Sequence, residues 1–185
     1  MVQNQPHTPM VTSRRQMIAT MLAGGALAAV TPALASRASA ASVDVPRKDA
    51  RDNALLNAAL NRESQMVATY AIAVESASNA DDKAALLLIH DNHVAYVDAL
   101  RGYLATEVEK PSGGALANPT GSFASVAAQL SALEDQTVSI HTGNLNSLIG
   151  MDAAMLVASI ITMEARHAAA LALVSGQTPT AAARV

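Results

Sequence analysis

The sequence predicts an all-α fold, an antiparallel four-helix bundle with a long crossover between its second and third helices. Apolar residues recur at spacings of three and four through four segments, which is the period of a helix with one buried face. Short turns join the first segment to the second and the third to the fourth, whereas one long aperiodic connection separates the pairs. Only 2% of the residues are aromatic, which suits close-packed helices better than sheets. With 51% apolar residues in a chain of 185, we expect one domain with one core.

The first helix is predicted over residues 52–78. Its apolar series passes through Leu60 and Val67, and Glu63 falls between them on the same stripe. A carboxylate on a buried stripe needs a cation or a hydrogen-bonded partner, because an isolated charge is too costly to bury. The preceding residues, 41–51, have mixed charge and a proline, and they are predicted to form a linker.

The second helix is predicted over residues 82–104, after a short turn with capping residues. Its apolar stripe contains His93, and His90 lies one turn earlier on the same side. Two imidazoles therefore accompany the apolar face of this helix.

Residues 105–120 contain two prolines and two glycines and show no periodicity. About sixteen extended residues at ~3.3 Å each can span the ~36 Å length of a 24-residue helix, so this connection can run from one end of the bundle to the other. The third helix is predicted over residues 122–149. Glu134 lies on its inner face, and His141 follows two turns later.

The fourth helix, 152–175, carries a carboxylate and an imidazole three residues apart in an otherwise apolar pattern. Glu164 and His167 leave the same face, which is the one expected to point into the core. Gly176 ends this helix. The predicted domains are an export signal at 1–40, a linker at 41–51, the bundle at 52–176 and a flexible tail at 177–185.

The first forty residues have the features of a twin-arginine export signal. An arginine pair at 14–15 precedes a weakly apolar run, and small residues at 38–40 suit signal peptidase. An uncleaved membrane anchor is the alternative, but glycine and proline within the run weaken it as a spanning helix. We therefore predict export by the twin-arginine translocase to the periplasm or the medium, with no membrane attachment after cleavage.

Charge and cysteine content exclude several classes of function. Removing residues 1–40, which contain three arginines and no acids, leaves nine Lys and Arg against 15 Asp and Glu. This acidic balance gives no reason to expect nucleic acid or anionic lipid as a partner. The chain has no cysteine, which rules out disulfides and thiolate metal ligands.

Each predicted helix carries at least one nitrogen or oxygen ligand on its apolar stripe, near the middle of its length. Because the middles of antiparallel helices meet, these groups are expected to converge on one or two first-row metal ions. The candidate metal ligands are Glu63, His90, His93, Glu134, His141, Glu164 and His167.

The order of these ligands resembles the ferritin-like fold, and within it small exported domains akin to plant desiccation-related proteins. The resemblance covers residues 52–175, and its most specific part is Glu164-Ala165-Arg166-His167. It implies a dinuclear metal site, usually iron, with manganese or another first-row metal as the alternative. It also implies reaction with oxygen or peroxide, as in a ferroxidase or a peroxide-reactive oxidoreductase.

The chain departs from that family pattern at two positions. His90 stands where the family has a glutamate that bridges two metals, and His141 is unexpected because a tyrosine is common in its neighbourhood. The site is therefore open to one ion, to a different metal, or to two ions held less tightly. Either histidine is also compatible with a hydrogen-bonded core residue, and Tyr70 with a core tyrosine or a donor near the site.

Two functional classes follow from this interpretation. The first is an oxidoreductase-like protein whose metal reacts with oxygen species. The second is a non-catalytic four-helix protein of the cell envelope that stores metal or serves in stress response or protein contact. We expect a monomer or dimer, because no helix presents a large apolar face to solvent.

Overall fold

The computed structural model describes residues 16, 18–20 and 45–178. Within residues 45–178 the chain forms four long helices and no strand, which confirms the predicted all-α bundle. The helices are α1 at Asn53–Ser76, α2 at Ala80–Leu104, α3 at Phe123–Leu145 and α4 at Met151–Ser175, with short 3₁₀ turns at Ala50–Asp52 and Ala105–Glu107. Most of the predicted export signal and of the tail lies outside the described residues, so both stay predictions.

Side chains and one glycine define the helix ends. Asn79 caps α2 by accepting a hydrogen bond from the Asp82 amide, and Ser122 caps α3 in the same way with the Ser125 amide. Gly176 ends α4 in the left-handed conformation, at φ 79°, which glycine adopts without steric cost. The third helix is shorter than predicted and ends at Leu145, because asparagines and a glycine near its end favour turns over helix.

The bundle consists of two tight hairpins, α1 with α2 and α3 with α4. Contacts within each hairpin are dense, whereas contacts between them, α1 with α3 and α2 with α4, are sparse. The core is apolar at both ends of the bundle, and its fully buried large side chains include Leu56, Leu86, Leu130 and Leu171. Polar side chains from all four helices meet in the space between the hairpins.

The crossover runs along α1. The Glu109 amide donates to Asn57 near the start of α1, and the Leu116 amide donates to Thr69 three turns later. Ser76, at the end of α1, donates to the Pro119 carbonyl. The connection thus carries the chain from one end of the bundle to the other, and α3 returns antiparallel to α1.

The segment just before α1 fastens the other end of the bundle. Asp52 is buried and accepts hydrogen bonds from the amides of Ile149, at 3.0 Å, and Gly150, at 2.7 Å. The carbonyls of Pro46 and Arg47 accept from the first two amides of α4. A Cβ at Gly150 would lie 2.9 Å from an Asp52 oxygen, so only glycine fits this contact.

Among the described helices, α4 alone is long and apolar enough to cross a membrane by length and composition. Half of its most apolar window is buried inside the bundle. This is the composition expected of a helix at the centre of a core, so the observation is weak evidence for a membrane span.

Candidate metal centre

Six of the seven candidate ligands predicted from the sequence meet between the two hairpins. All six side chains are 0% exposed. They form two groups, each able to bring three ligand atoms within 4.8 Å of one another. The first group is His93, Glu134 and His167, and the second is Glu63, His141 and Glu164.

Helical spacing places these side chains on inner faces, within about two turns of one another along the bundle. α1 supplies Glu63 and α2 supplies His93, each from near the middle of its helix. On α3, Glu134 and His141 are two turns apart, and on α4 a glutamate and a histidine are one turn apart, so each pair shares a face. The predicted convergence of the four helix middles is what the structure shows.

The first group is organised around one carboxylate oxygen. Glu134 Oε1 lies 3.0 Å from His93 Nε2 and 3.6 Å from His167 Nδ1. The hydroxyl of Tyr70 donates to the same oxygen. The other oxygen of Glu134 has no hydrogen-bond partner.

The second group is organised around one imidazole nitrogen. His141 Nε2 lies 2.7 Å from Glu63 Oε1 and 3.7 Å from Glu164 Oε1. Neither oxygen of Glu164 has a hydrogen-bond partner, although both are buried. A carboxylate in this situation needs either a proton or a cation.

His93 joins the two groups. Its Nδ1 lies 2.7 Å from Glu63 Oε2 in the second group, and its Nε2 faces Glu134 in the first. Burial by itself lowers the pKa of His93, but the charges and hydrogen bonds of Glu134 and Glu63 outweigh it and raise the pKa to about 10. In the absence of metal the imidazole is therefore a cation between two carboxylates.

The three carboxyl groups differ in charge state for the same reasons. Burial raises the pKa of each, but His141 and His93 hold the pKa of Glu63 below its usual value, and His93 and His167 lower that of Glu134 to about 2. For Glu164, burial and the charges of the other two acids act together and raise its pKa well above the ordinary value. Burial and the neighbouring acids therefore favour the protonated form of Glu164 in metal-free protein.

The buried atoms without partners fit a bound cation. Among the described residues, seven buried side-chain nitrogen and oxygen atoms lack a hydrogen-bond partner, and five of these belong to the six-residue cluster. Buried polar atoms without partners are rare in proteins and costly. A metal ion between the hairpins would be the electrophile that these oxygens and imidazole nitrogens lack.

Two tyrosines cover the imidazoles on the apolar side. The Tyr70 ring stacks on His93 at 5.1 Å between ring centroids, so Tyr70 is both a core residue and a hydrogen-bond donor to the cluster. Tyr96 packs edge-on against His93 and stacks on His167. Tyr96 was not predicted from the sequence, although its place one turn after His93 on α2 is the signal that could have found it.

The structure does not bring His90 into either group. Its side chain is 21% exposed, and Nδ1 lies 3.0 Å from the Asp91 carboxylate. Three residues advance a helix by about 300°, so His90 is rotated by about 60° from His93 and reaches the edge of the bundle. The prediction that His90 lies beside His93 on the inner stripe is therefore wrong. His90 is also the position at which the family pattern has a bridging glutamate, so this position supplies no carboxylate to the cluster.

Two polar residues that were not predicted support the cluster from outside. The amide of Asn92 lies 3.1 Å from His167 Nε2, so Nδ1 of that ring faces Glu134. Arg62 is half-buried and donates from α1 to the Thr137 hydroxyl of α3, at 2.9 Å. These contacts depend on the register between hairpins, which the sequence pattern of one helix does not contain.

Comparison with known proteins gives one match. A family model described as a ferritin-like domain matches residues 51–177, which is more than half of the chain. A search of curated proteins and a search of solved structures returned no match.

Proposed function

The chain belongs to the ferritin-like domain family, and on this premise we propose that it is an exported protein whose cluster binds two first-row metal ions, with iron as the physiological metal. We further propose that the bound ferrous iron is oxidised by oxygen or peroxide. The supporting observation is the set of six fully buried Glu and His side chains, five of whose atoms have no hydrogen-bond partner.

The donor set fits iron. Carboxylates favour the ferric state and imidazoles bind first-row metals as neutral ligands, so three of each can hold both oxidation states. When bound, ferrous iron would supply the electrons: two Fe²⁺ reduce one O₂ to H₂O₂ with uptake of two protons.

The residues of the chain hold and shield the metal positions. His93 and His167 would supply nitrogen ligands to the metal, and Glu134 would supply an oxygen ligand. Tyr70 donates to Glu134 and thereby fixes the orientation of that carboxylate. The tyrosine rings and the apolar residues around the cluster exclude water, which strengthens every charge interaction inside it.

Export rests on the sequence of residues 1–40. The arginine pair, the weakly apolar run and the small residues at its end support passage through the twin-arginine translocase. This route would place the protein in the periplasm or the medium, where a chain without cysteines is unaffected by the oxidising conditions.

Oxygen consumption on addition of Fe²⁺ to the metal-free full chain tests the oxidase proposal. We expect rapid uptake in proportion to the iron added, and we expect Glu63→Ala and Glu164→Ala each to abolish it, because each removes a carboxylate of the cluster. Glu75→Ala is the matched control, since Glu75 is an exposed acid on α1. Unchanged rates in both cluster variants would eliminate the proposal.

One observation favours a second candidate function. Because His90 lies outside both groups, α2 contributes one imidazole and no carboxylate to the cluster. A site with fewer acids favours binding without turnover, as in metal storage or a structural role in envelope stress. Metal binding by the wild type without oxygen consumption would select this second candidate.

A further inference from the structure

The two groups of ligands share no residue and have opposite donor sets. The first contains two imidazoles and one carboxylate, and the second contains one imidazole and two carboxylates. We infer that the cluster holds two separable metal positions that select different ions, a nitrogen-rich one at His93, Glu134 and His167 and an oxygen-rich one at Glu63, His141 and Glu164. This inference rests on the proposal that the cluster binds metal.

Each position has its own centre. The nitrogens of His93 and His167 both face one oxygen of Glu134, at 3.0 and 3.6 Å. The oxygens of Glu63 and Glu164 both face one nitrogen of His141, at 2.7 and 3.7 Å. A cation drawn to either centre meets a complete set of three donors without displacing a residue of the other set.

The link between the positions is a hydrogen bond through an imidazole. His93 directs Nε2 to the first position and has Nδ1 2.7 Å from Glu63 Oε2 in the second. A histidine that binds metal through one nitrogen usually donates its other N–H to a carboxylate, which fixes the ring. Here that carboxylate belongs to the second position, so the two ions would be connected without a common ligand.

The absence of any α2 carboxylate from the two groups of ligands supports this separation. The side chain of His90, which occupies the place of a bridging acid in the family pattern, is partly exposed and directed to Asp91. Among the described residues, no carboxylate is common to both groups.

Asn92 serves the first position alone. Its Nδ2 lies 3.1 Å from His167 Nε2, on the side of the ring opposite the nitrogen that faces Glu134. When Nδ1 binds metal, Nε2 carries the proton, so the Asn92 amide would turn over and its Oδ1 would accept from that N–H. We expect its removal to free the ring of His167 while leaving Glu63, His141 and Glu164 in place. Asn92 is thus a positioning residue for the nitrogen-rich position.

The donor sets predict which ion takes which position. Imidazole-rich sites favour Zn²⁺ over Mn²⁺, because affinity rises along the first-row series and Zn²⁺ accepts nitrogen readily. Carboxylate-rich sites suit Mn²⁺. One equivalent of Zn²⁺ should therefore fill the first position and leave the second for Mn²⁺.

The experiment loads the metal-free full chain with one equivalent of Zn²⁺ and then titrates Mn²⁺, with bound metals measured by elemental analysis and Mn²⁺ by electron paramagnetic resonance. We expect one Zn²⁺ and one Mn²⁺ per wild-type chain. His141→Ala should keep the Zn²⁺ and lose the Mn²⁺. Asn92→Ala should weaken Zn²⁺ binding by about 10- to 100-fold and leave Mn²⁺ binding unchanged.

Asn144→Ala is the control for Asn92→Ala, since Asn144 is a half-buried asparagine near the end of α3. Parallel loss of both metals in folded Asn92→Ala, or equal loss of both in folded His141→Ala, would overturn the inference and indicate one shared site. A wild-type chain that binds both metals in random proportion would also overturn it. A wild-type chain that binds neither metal would instead refute the proposed function.

Discussion

Replacing His93 by alanine is expected to destabilise the metal-free protein by about 3–5 kcal/mol, because it removes the cation that two buried carboxylates share. His93 lies 2.7 Å from Glu63 and 3.0 Å from Glu134, and all three side chains are fully buried. Urea unfolding in the presence of a chelator, followed by the helical circular dichroism signal, measures this loss.

A second variant separates charge from packing. Glu164→Gln removes a carboxyl group whose protonated form is favoured in metal-free protein, because burial and the neighbouring acids raise its pKa. We expect this variant to be as stable as the wild type or more stable without metal, yet unable to complete the second metal position. The same substitution would then preserve or raise the stability of the protein and remove metal binding at the second position.

His90→Ala is the matched control for His93→Ala. His90 lies on α2 one turn away, partly exposed, with one contact to Asp91. Its replacement is expected to change stability by less than about 1 kcal/mol. Equal effects of the two histidine variants would contradict the charge assignment in the cluster.

The stability of the metal-free protein is expected to fall as the pH rises above 6.5. Glu134 and Glu63 raise the pKa of His93 against the effect of burial, from 6.5 to about 10, so its contribution is fully present below pH 6.5 and is lost as the pH rises through 10. The raised pKa of Glu164 acts in the same direction above its ordinary value of 4.5. Each proton lost in this way costs up to about 1.4 kcal/mol per pH unit.

At acidic pH the stability of the metal-free protein changes with pH in the opposite direction. The pKa of Glu134 is lowered from 4.5 to about 2 by His93 and His167, which outweigh burial, so its contribution is present above pH 4.5 and is lost as the pH falls through 2. Because the contribution of Glu164 already declines above its ordinary value of 4.5 and that of His93 declines above 6.5, metal-free protein should have its highest Tm near pH 4.5.

Bound metal should remove the alkaline decline, because the cation takes the place of the protons on His93 and Glu164. Thermal unfolding from pH 5 to 9, with chelator and with Mn²⁺, measures the difference. A metal-free Tm that stays constant from pH 6 to 9 would show that His93 is not the cation of the cluster.

Helical periodicity was sufficient to predict the four helices and the convergence of six of the seven candidate ligands. Glu63 and Glu134 each fall on an apolar stripe, and residues seven apart on one helix, such as Glu134 and His141, share a face to within about 20°. Because antiparallel helices of similar length meet at their middles, the depth of these side chains also followed from the sequence.

The features of the site that were not predicted depend on the register and rotation of one hairpin against the other. His90 and His93 are one turn apart, and a rotation of about 60° decides which of them is buried. Arg62 and Asn92 reach side chains 75 residues away, on α3 and α4 respectively. No periodicity within a single helix encodes such a contact.

The docking of the segment before α1 was missed for a similar reason. Residues 41–51 have the composition of a linker, but the carbonyls of Pro46 and Arg47 accept from the first two amides of α4, and Asp52 accepts from the amide of Gly150 just before it. A helix start without a side-chain cap of its own requires such partners, and they come from the far end of the chain.

The most direct test of whether the buried acids and imidazoles bind cations is the iron content of the protein. The metal-free full chain is dialysed anaerobically against Fe²⁺, and the bound iron is measured by elemental analysis. From the proposed function we expect two equivalents per wild-type chain and a loss of at least one in Glu134→Gln, which keeps the shape of the side chain but removes its charge. No bound iron in the wild type, or the same iron content in both proteins, would contradict the account.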